Sequence, residues 1–118
     1  MLTIKHGNPV VVWPVTVSVP RDGGSFEKSQ FRAKFEILNS DQVNAMAVDH
    51  RSSGDQDTDL GQLILTKSIK DLFDLVDEDG NQIPYTDELR DQVLAIPYIK
   101  GGLWEAYTSA LNGRRQKN

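Results

Sequence analysis

Val11-Val-Trp-Pro-Val-Thr-Val-Ser-Val19 and Gln30-Phe-Arg-Ala-Lys-Phe-Glu-Ile37 are the stretches that decide the fold. In the first, Val11, Trp13, Val15, Val17 and Val19 place an apolar residue at every odd position, while Pro14, Thr16, Ser18 and Pro20 occupy even ones. That period of two marks a half-buried strand, because successive side chains leave opposite faces of an extended backbone. Pro14 has no N–H for a ladder, so this strand is expected at a sheet edge or to begin just after it. In the second stretch Phe31, Ala33, Phe35 and Ile37 share one face, and Gln30, Arg32, Lys34 and Glu36 the other. Between them Pro20-Arg-Asp-Gly-Gly24 signals a turn, since Pro fixes φ and the glycines accept positive φ. The two strands therefore form a long antiparallel hairpin.

The rest of the chain reads mainly as helix. Asn39 and Gln42 have capping-box spacing ahead of a short helix carrying Val43, Met46 and Ala47. Arg51-Ser-Ser-Gly-Asp-Gln-Asp57 is polar and contains glycine, which predicts a loop. Asp57 or Thr58 is the expected cap of a second helix with Leu60, Leu63, Ile64, Ile69, Leu72 and Phe73 as its stripe. A small hairpin with a type I′ turn is expected around Asp79-Gly80. Thr86 then caps a third helix containing Leu89, Val93, Leu94 and Ile96. Pro97 opens a fourth, with Ile99, Leu103, Trp104, Tyr107 and Leu111 as its stripe. The fold class is α+β: an N-terminal hairpin followed by about four helices. One domain spans residues 1–112, and 113–118 is expected to be a mobile basic tail.

Composition narrows the chemistry. The 118 residues include no cysteine and only two histidines, His6 and His50, which excludes thiol nucleophiles, sulfur-bound metals and multi-histidine sites. No apolar run approaches the roughly 20 residues of a membrane span, and no signal-peptide pattern opens the chain, so a cytoplasmic protein is expected. Charge is unevenly placed. The last six residues carry three basic charges and no acidic one, and the segment from Asp49 to Asp91 holds 12 acidic and 4 basic residues. An acidic body repels phosphates, so nucleic acid is not an expected partner.

Two acidic runs invite a metal reading. Asp55-Gln-Asp-Thr-Asp59 opens like a calcium loop, but Leu60 and Thr66 stand where such a loop needs Gly and Glu. In Asp77-Glu-Asp-Gly80 the glycine is in register, yet Leu75 and Thr86 occupy the first and twelfth positions. Capping and turn formation explain both runs, and no metal or other cofactor is expected. No nucleophile elbow, phosphate loop or His-Glu-x-x-His motif is present, so an enzyme is not expected either. The aromatic residues read first as core. An isolated hairpin, however, exposes two edges, which predicts self-association through Trp13, Val15, Val17, Phe31 and Phe35 or a protein partner.

Across nearly its whole length the chain resembles the tail assembly chaperones of long-tailed bacteriophages. The resemblance is carried in order by Trp13-Pro-Val-Thr-Val-Ser-Val-Pro20, Asp22-Gly-Gly24, Phe31-x-Ala-x-Phe35, Val76-Asp-Glu-Asp-Gly-Asn-Gln-Ile-Pro-Tyr85, Ile96-Pro-Tyr-Ile99 and Ala106-Tyr107. It departs at Leu72-Phe-Asp-Leu75, where the family pattern has a Val-Gly-Trp-like ending, so a role tied to that tryptophan does not carry over. The resemblance implies a non-enzymatic protein of the host cytoplasm. It would coat the aggregation-prone tape measure protein, help recruit major tail (tube) protein, and be absent from the mature virion. It also implies a longer form made by programmed frameshifting, for which codons of Gln116-Lys117-Asn118 can supply a slippery adenine run. On the helical half, Ile99, Leu103, Trp104 and Tyr107 are the expected client contacts. A structural tail or connector subunit that stays in the virion is the alternative.

Overall fold

A computed structural model describes residues 1–55 and 57–113. Strands β1 (Val10–Pro20) and β2 (Phe26–Glu36) are joined through a short 3-10 turn at Asp22–Gly24 and pair antiparallel, with Val15 opposite Phe31 and Val11 opposite Phe35. After them come α1 (Ser40–Ser53), α2 (Leu60–Ser68), β3 (Ile69–Phe73), α3 (Asp87–Leu94) and α4 (Pro97–Leu111). The fold is α+β, as the alternation and the helical stripes require. The sheet order is β1-β2-β3, all antiparallel, so β1 and β3 are its edges.

The alternation works as expected in the hairpin. Val15, Val17, Phe31, Ala33 and Phe35 are buried on one face, and α4 lies across that face with Leu103, Ala106 and Tyr107 buried against it. Gly102 makes the close approach possible. A Cβ at this position would sit 2.6 Å from Val17 Cγ1 and 2.7 Å from the Thr16 carbonyl oxygen. The Tyr107 ring meets Phe35 edge-on at 5.5 Å, and its hydroxyl accepts the Leu38 N–H at 3.2 Å. The bond satisfies a buried backbone donor just before α1. Burial pushes the Tyr85 phenol above its ordinary pKa, so at neutral pH it stays a donor.

Several helical boundaries differ from the sequence reading. The second helix ends at Ser68, and Ile69–Phe73 forms β3 instead of continuing the stripe. Ile69 and Leu72 are both buried although three residues apart, a spacing native to a helix. A strand achieves it only because the ladder slips by one residue between Lys34 and Phe35 of β2. Helix α1 is longer than expected, taking in Arg51–Ser53 before Gly54 ends it in the left-handed region. Its capping box is complete, with Asn39 and Gln42 bonding each other's backbone N–H. Asp59, rather than Asp57 or Thr58, caps α2 by accepting Gln62 N–H at 2.6 Å. Thr86 caps α3 as expected, but Ile96 lies outside it, as the cap residue of α4. The acidic turn is not type I′, because Gly80 has positive φ and Asp79 does not. Instead the Asp77 carboxylate accepts the N–H groups of Asp79 and Asn81, and Gly80 N–H donates to the Asp77 carbonyl. Among the described residues no helix is long and apolar enough to cross a membrane. Beyond Gly113, the basic tail lies outside the described residues.

Candidate functional site

The four residues expected to meet a client divide between core and surface. Leu103 is fully buried and Tyr107 is 3% exposed, so both belong to the core and not to a contact surface. Ile99 is half-buried against that core. Trp104 is different: it is 38% exposed and stacks on Tyr107 at 6.0 Å. The helical period separates them, since α4 turns Leu103 and Tyr107 toward the sheet and leaves Trp104 beside them on the rim. The expected self-association residues are corrected in the same way. Val15, Val17, Phe31 and Phe35 are buried in the core that α4 covers, and Trp13 is half-buried against it, so four of the five present no contact surface. The apolar face drew its cover from its own chain.

Trp104 forms a ridge between two hollows. One, of about 380 Å³, is lined by Leu65, Pro97, Gly101 and Gly61. The indole packs over the backbone at Gly61, where a Cβ would stand 3.7 Å from the ring in ordinary van der Waals contact. The other, of about 290 Å³, is walled by Leu38, Val43, Ile64 and Leu111. An ion pair closes the rim of the first hollow, Lys100 Nζ to Asp59 at 2.7 Å, and ties α4 to the cap of α2. That bond from Lys100, with the Gln62 N–H, holds the Asp59 carboxyl below the ordinary carboxylate range. A ridge of aromatic surface between apolar hollows can seat large apolar side chains of a second protein.

His6 lies in the exposed segment before β1, and His50 sits in the last turn of α1. Among the described residues no three His, Cys, Asp or Glu side chains are grouped to hold a metal ion. The acidic runs serve the backbone instead: Asp59 caps a helix and Asp77 builds a turn. Val43 and Ile64 were legible as apolar helix positions, but Leu65 fell outside the expected stripe, and no local spacing brings α1, α2 and α4 together around one indole. No protein-family model matches the chain, and neither a curated protein nor a solved structure matches it.

Proposed function

We propose that this chain is a tail assembly chaperone of a long-tailed bacteriophage. It binds the tape measure protein and helps recruit tail-tube subunits in the host cytoplasm, then leaves before the virion is complete. The ordered motifs from Trp13 to Tyr107 support the reading at the level of family. The observation that carries it in the fold is Trp104, half-exposed between two apolar hollows on an otherwise acidic molecule. An aromatic ridge grips apolar client residues, while net negative charge keeps the complex dispersed.

Co-purification with the tape measure protein is the test. Trp104→Ala is expected to weaken the complex by about 2 kcal/mol, the ordinary cost of losing an aromatic anchor, with little change in Tm. Leu103→Ala serves as the core comparison and is expected to cost about 2–5 kcal/mol of stability. A client complex indifferent to Trp104→Ala removes the ridge from the proposal. Recovery of the chain in stoichiometric amount from purified virions would make it a structural tail subunit instead.

A further inference from the structure

The joint between α2 and β3 contains no linker. Helix α2 ends at Ser68 and β3 begins at Ile69, whose N–H still makes the helical bond to the Leu65 carbonyl. Ile69 also keeps a helix-like φ of -73, so its ψ of 121 is where the chain first leaves the helix. The residues that follow retain a helical pattern. Leu65, Ile69 and Leu72 stand at i, i+4 and i+7, and Val76, exposed at 54%, is next on the same face. Within the segment, Lys70 and Asp71 are residue types that strands disfavour.

Holding this segment as a strand has visible costs. The ladder slips between Lys34 and Phe35 so that Ile69 and Leu72 both reach the core. Ser68, at the joint, is fully buried, and among the described residues its hydroxyl has no hydrogen-bond partner. Asp74, just past β3, has a φ of 67, a left-handed value that most side chains resist. Against these costs stand the burial of Ile69 and Leu72, the ladder to β2 and a latch. Arg32 Nε donates to the Asp74 carboxylate at 2.7 Å, and the same guanidinium lies 5.1 Å from the centre of the Phe73 ring. Both partners of the latch are about half-exposed, so solvent and salt reach it.

We propose that Ile69–Phe73 is a two-state segment: latched by Arg32 and Asp74 it is the third strand, and released it continues α2 as helix and bares the edge of β2. Such a device needs two packings of one sequence that differ little in free energy. In the released form Ile69 and Leu72 extend the stripe of Leu65, so they stay on the side of α2 that faces the core. The charges exchange partners as well. Lys70 leaves Glu36, which it meets at 3.3 Å beside the strand, and falls one helical turn before Asp74, while Lys67 falls one turn before Asp71. Phe35 and Ala33 lose the cover of Ile69 and Leu72, which keeps the released form the minor one. Release leaves Arg32–Phe35 with unpaired N–H and C=O groups, an edge that accepts a strand from another protein. The latch therefore decides when that edge is on offer.

Residue-resolved hydrogen exchange and Cα chemical shifts test the switch. In the unmodified chain the slowest amides of β3 should exchange roughly 100-fold faster than the slowest of the β1–β2 hairpin, and faster still in high salt. Asp74→Ala removes the carboxylate, resists the left-handed φ and favours helix, whereas Asp74→Gly removes it but accepts that φ and disfavours helix. Asp74→Ala should accordingly speed β3 exchange roughly tenfold more than Asp74→Gly does, and move the shifts of residues 69–73 toward helical values. Arg32→Gln opens the latch without altering the segment, and carries the test should Asp74→Ala fail to fold. The chain has no cysteine, so Lys34→Cys with Asp71→Cys, opposed across the ladder at about 4.5–5.5 Å between Cα atoms, can pin β3 by a disulfide. In either latch variant, oxidising that pair should abolish the helical shift and slow the exchange, and reduction should restore both. Amides of β3 as slow as those of the hairpin overturn the proposal. So does Asp74→Gly opening the segment as far as Asp74→Ala, or rapid exchange in a latch variant with no helical shift, which is fraying alone. Exchange that the disulfide leaves unchanged overturns it too.

Discussion

Gly101 and Gly102 stand side by side in α4, yet only one of them is required by the packing. A Cβ on Gly101 meets nothing within 4 Å, whereas on Gly102 it would collide with Val17 Cγ1 and with a strand carbonyl. The carbonyl cannot move without disturbing β1, so the helix must lift from the sheet. Gly102→Ala is therefore expected to cost about 1–3 kcal/mol, as overpacking does, although alanine is the better helix former. Gly101→Ala is expected to be neutral or to stabilise by up to about 1 kcal/mol. Urea unfolding of the two variants separates these outcomes, and an equal effect at both sites would mean that α4 does not rest on β1 at Gly102. Asp74 makes the opposite bargain. Its φ of 67 is unusual for a residue with a side chain, but its carboxylate holds Arg32 at 2.7 Å and so ties the end of β3 to β2.

At the junction of α2 and β3, local sequence and tertiary demand point different ways. The hairpin was legible because Trp13–Val19 and Gln30–Ile37 alternate, and the caps at Asn39 and Thr86 because a short side chain there has one obvious use. Leu60–Phe73 was not, since Ile69 and Leu72 fit a helical stripe and only the vacant edge of β2 turns them into a strand. The site was legible in part. Helical spacing singled out Trp104 on α4, but the same spacing also chose Leu103 and Tyr107, and only the sheet beneath them decides which side is core. Ser68 marks the junction physically: it is fully buried, and among the described residues its hydroxyl has no hydrogen-bond partner. Removing an unsatisfied hydroxyl relieves a desolvation cost. Ser68→Ala is accordingly expected to leave stability unchanged or raise it by about 1 kcal/mol in thermal unfolding. A loss above that size would reveal a bonded hydroxyl.

Three carboxylates fasten the elements of the whole molecule to one another, and all three sit below their ordinary pKa. Glu36 accepts from the Asn8 amide at 2.7 Å and pairs with Lys70, linking the start of β1 to β2 and β3. Asp59 joins α2 to α4 through Lys100, and Asp74 joins β3 to β2 through Arg32. A carboxyl whose folded pKa is lowered binds protons more readily in the unfolded chain. Its contribution is fully present above the unfolded pKa, near 4, and is lost as the pH falls through the lower folded value. Stability against urea should thus be level from neutral pH down to about 5 and decline below about 4. Because these pairs are exposed and screened, the acid limb should be shallow and should flatten further at high salt. Asp59→Asn should remove part of that decline, and should do so together with loosening of α4, since the same carboxylate caps α2 and anchors α4. Urea midpoints measured from pH 7 to pH 3 decide it. A midpoint that rises toward acid, or an acid limb identical in Asp59→Asn, would show that these contacts do not hold the elements together in solution.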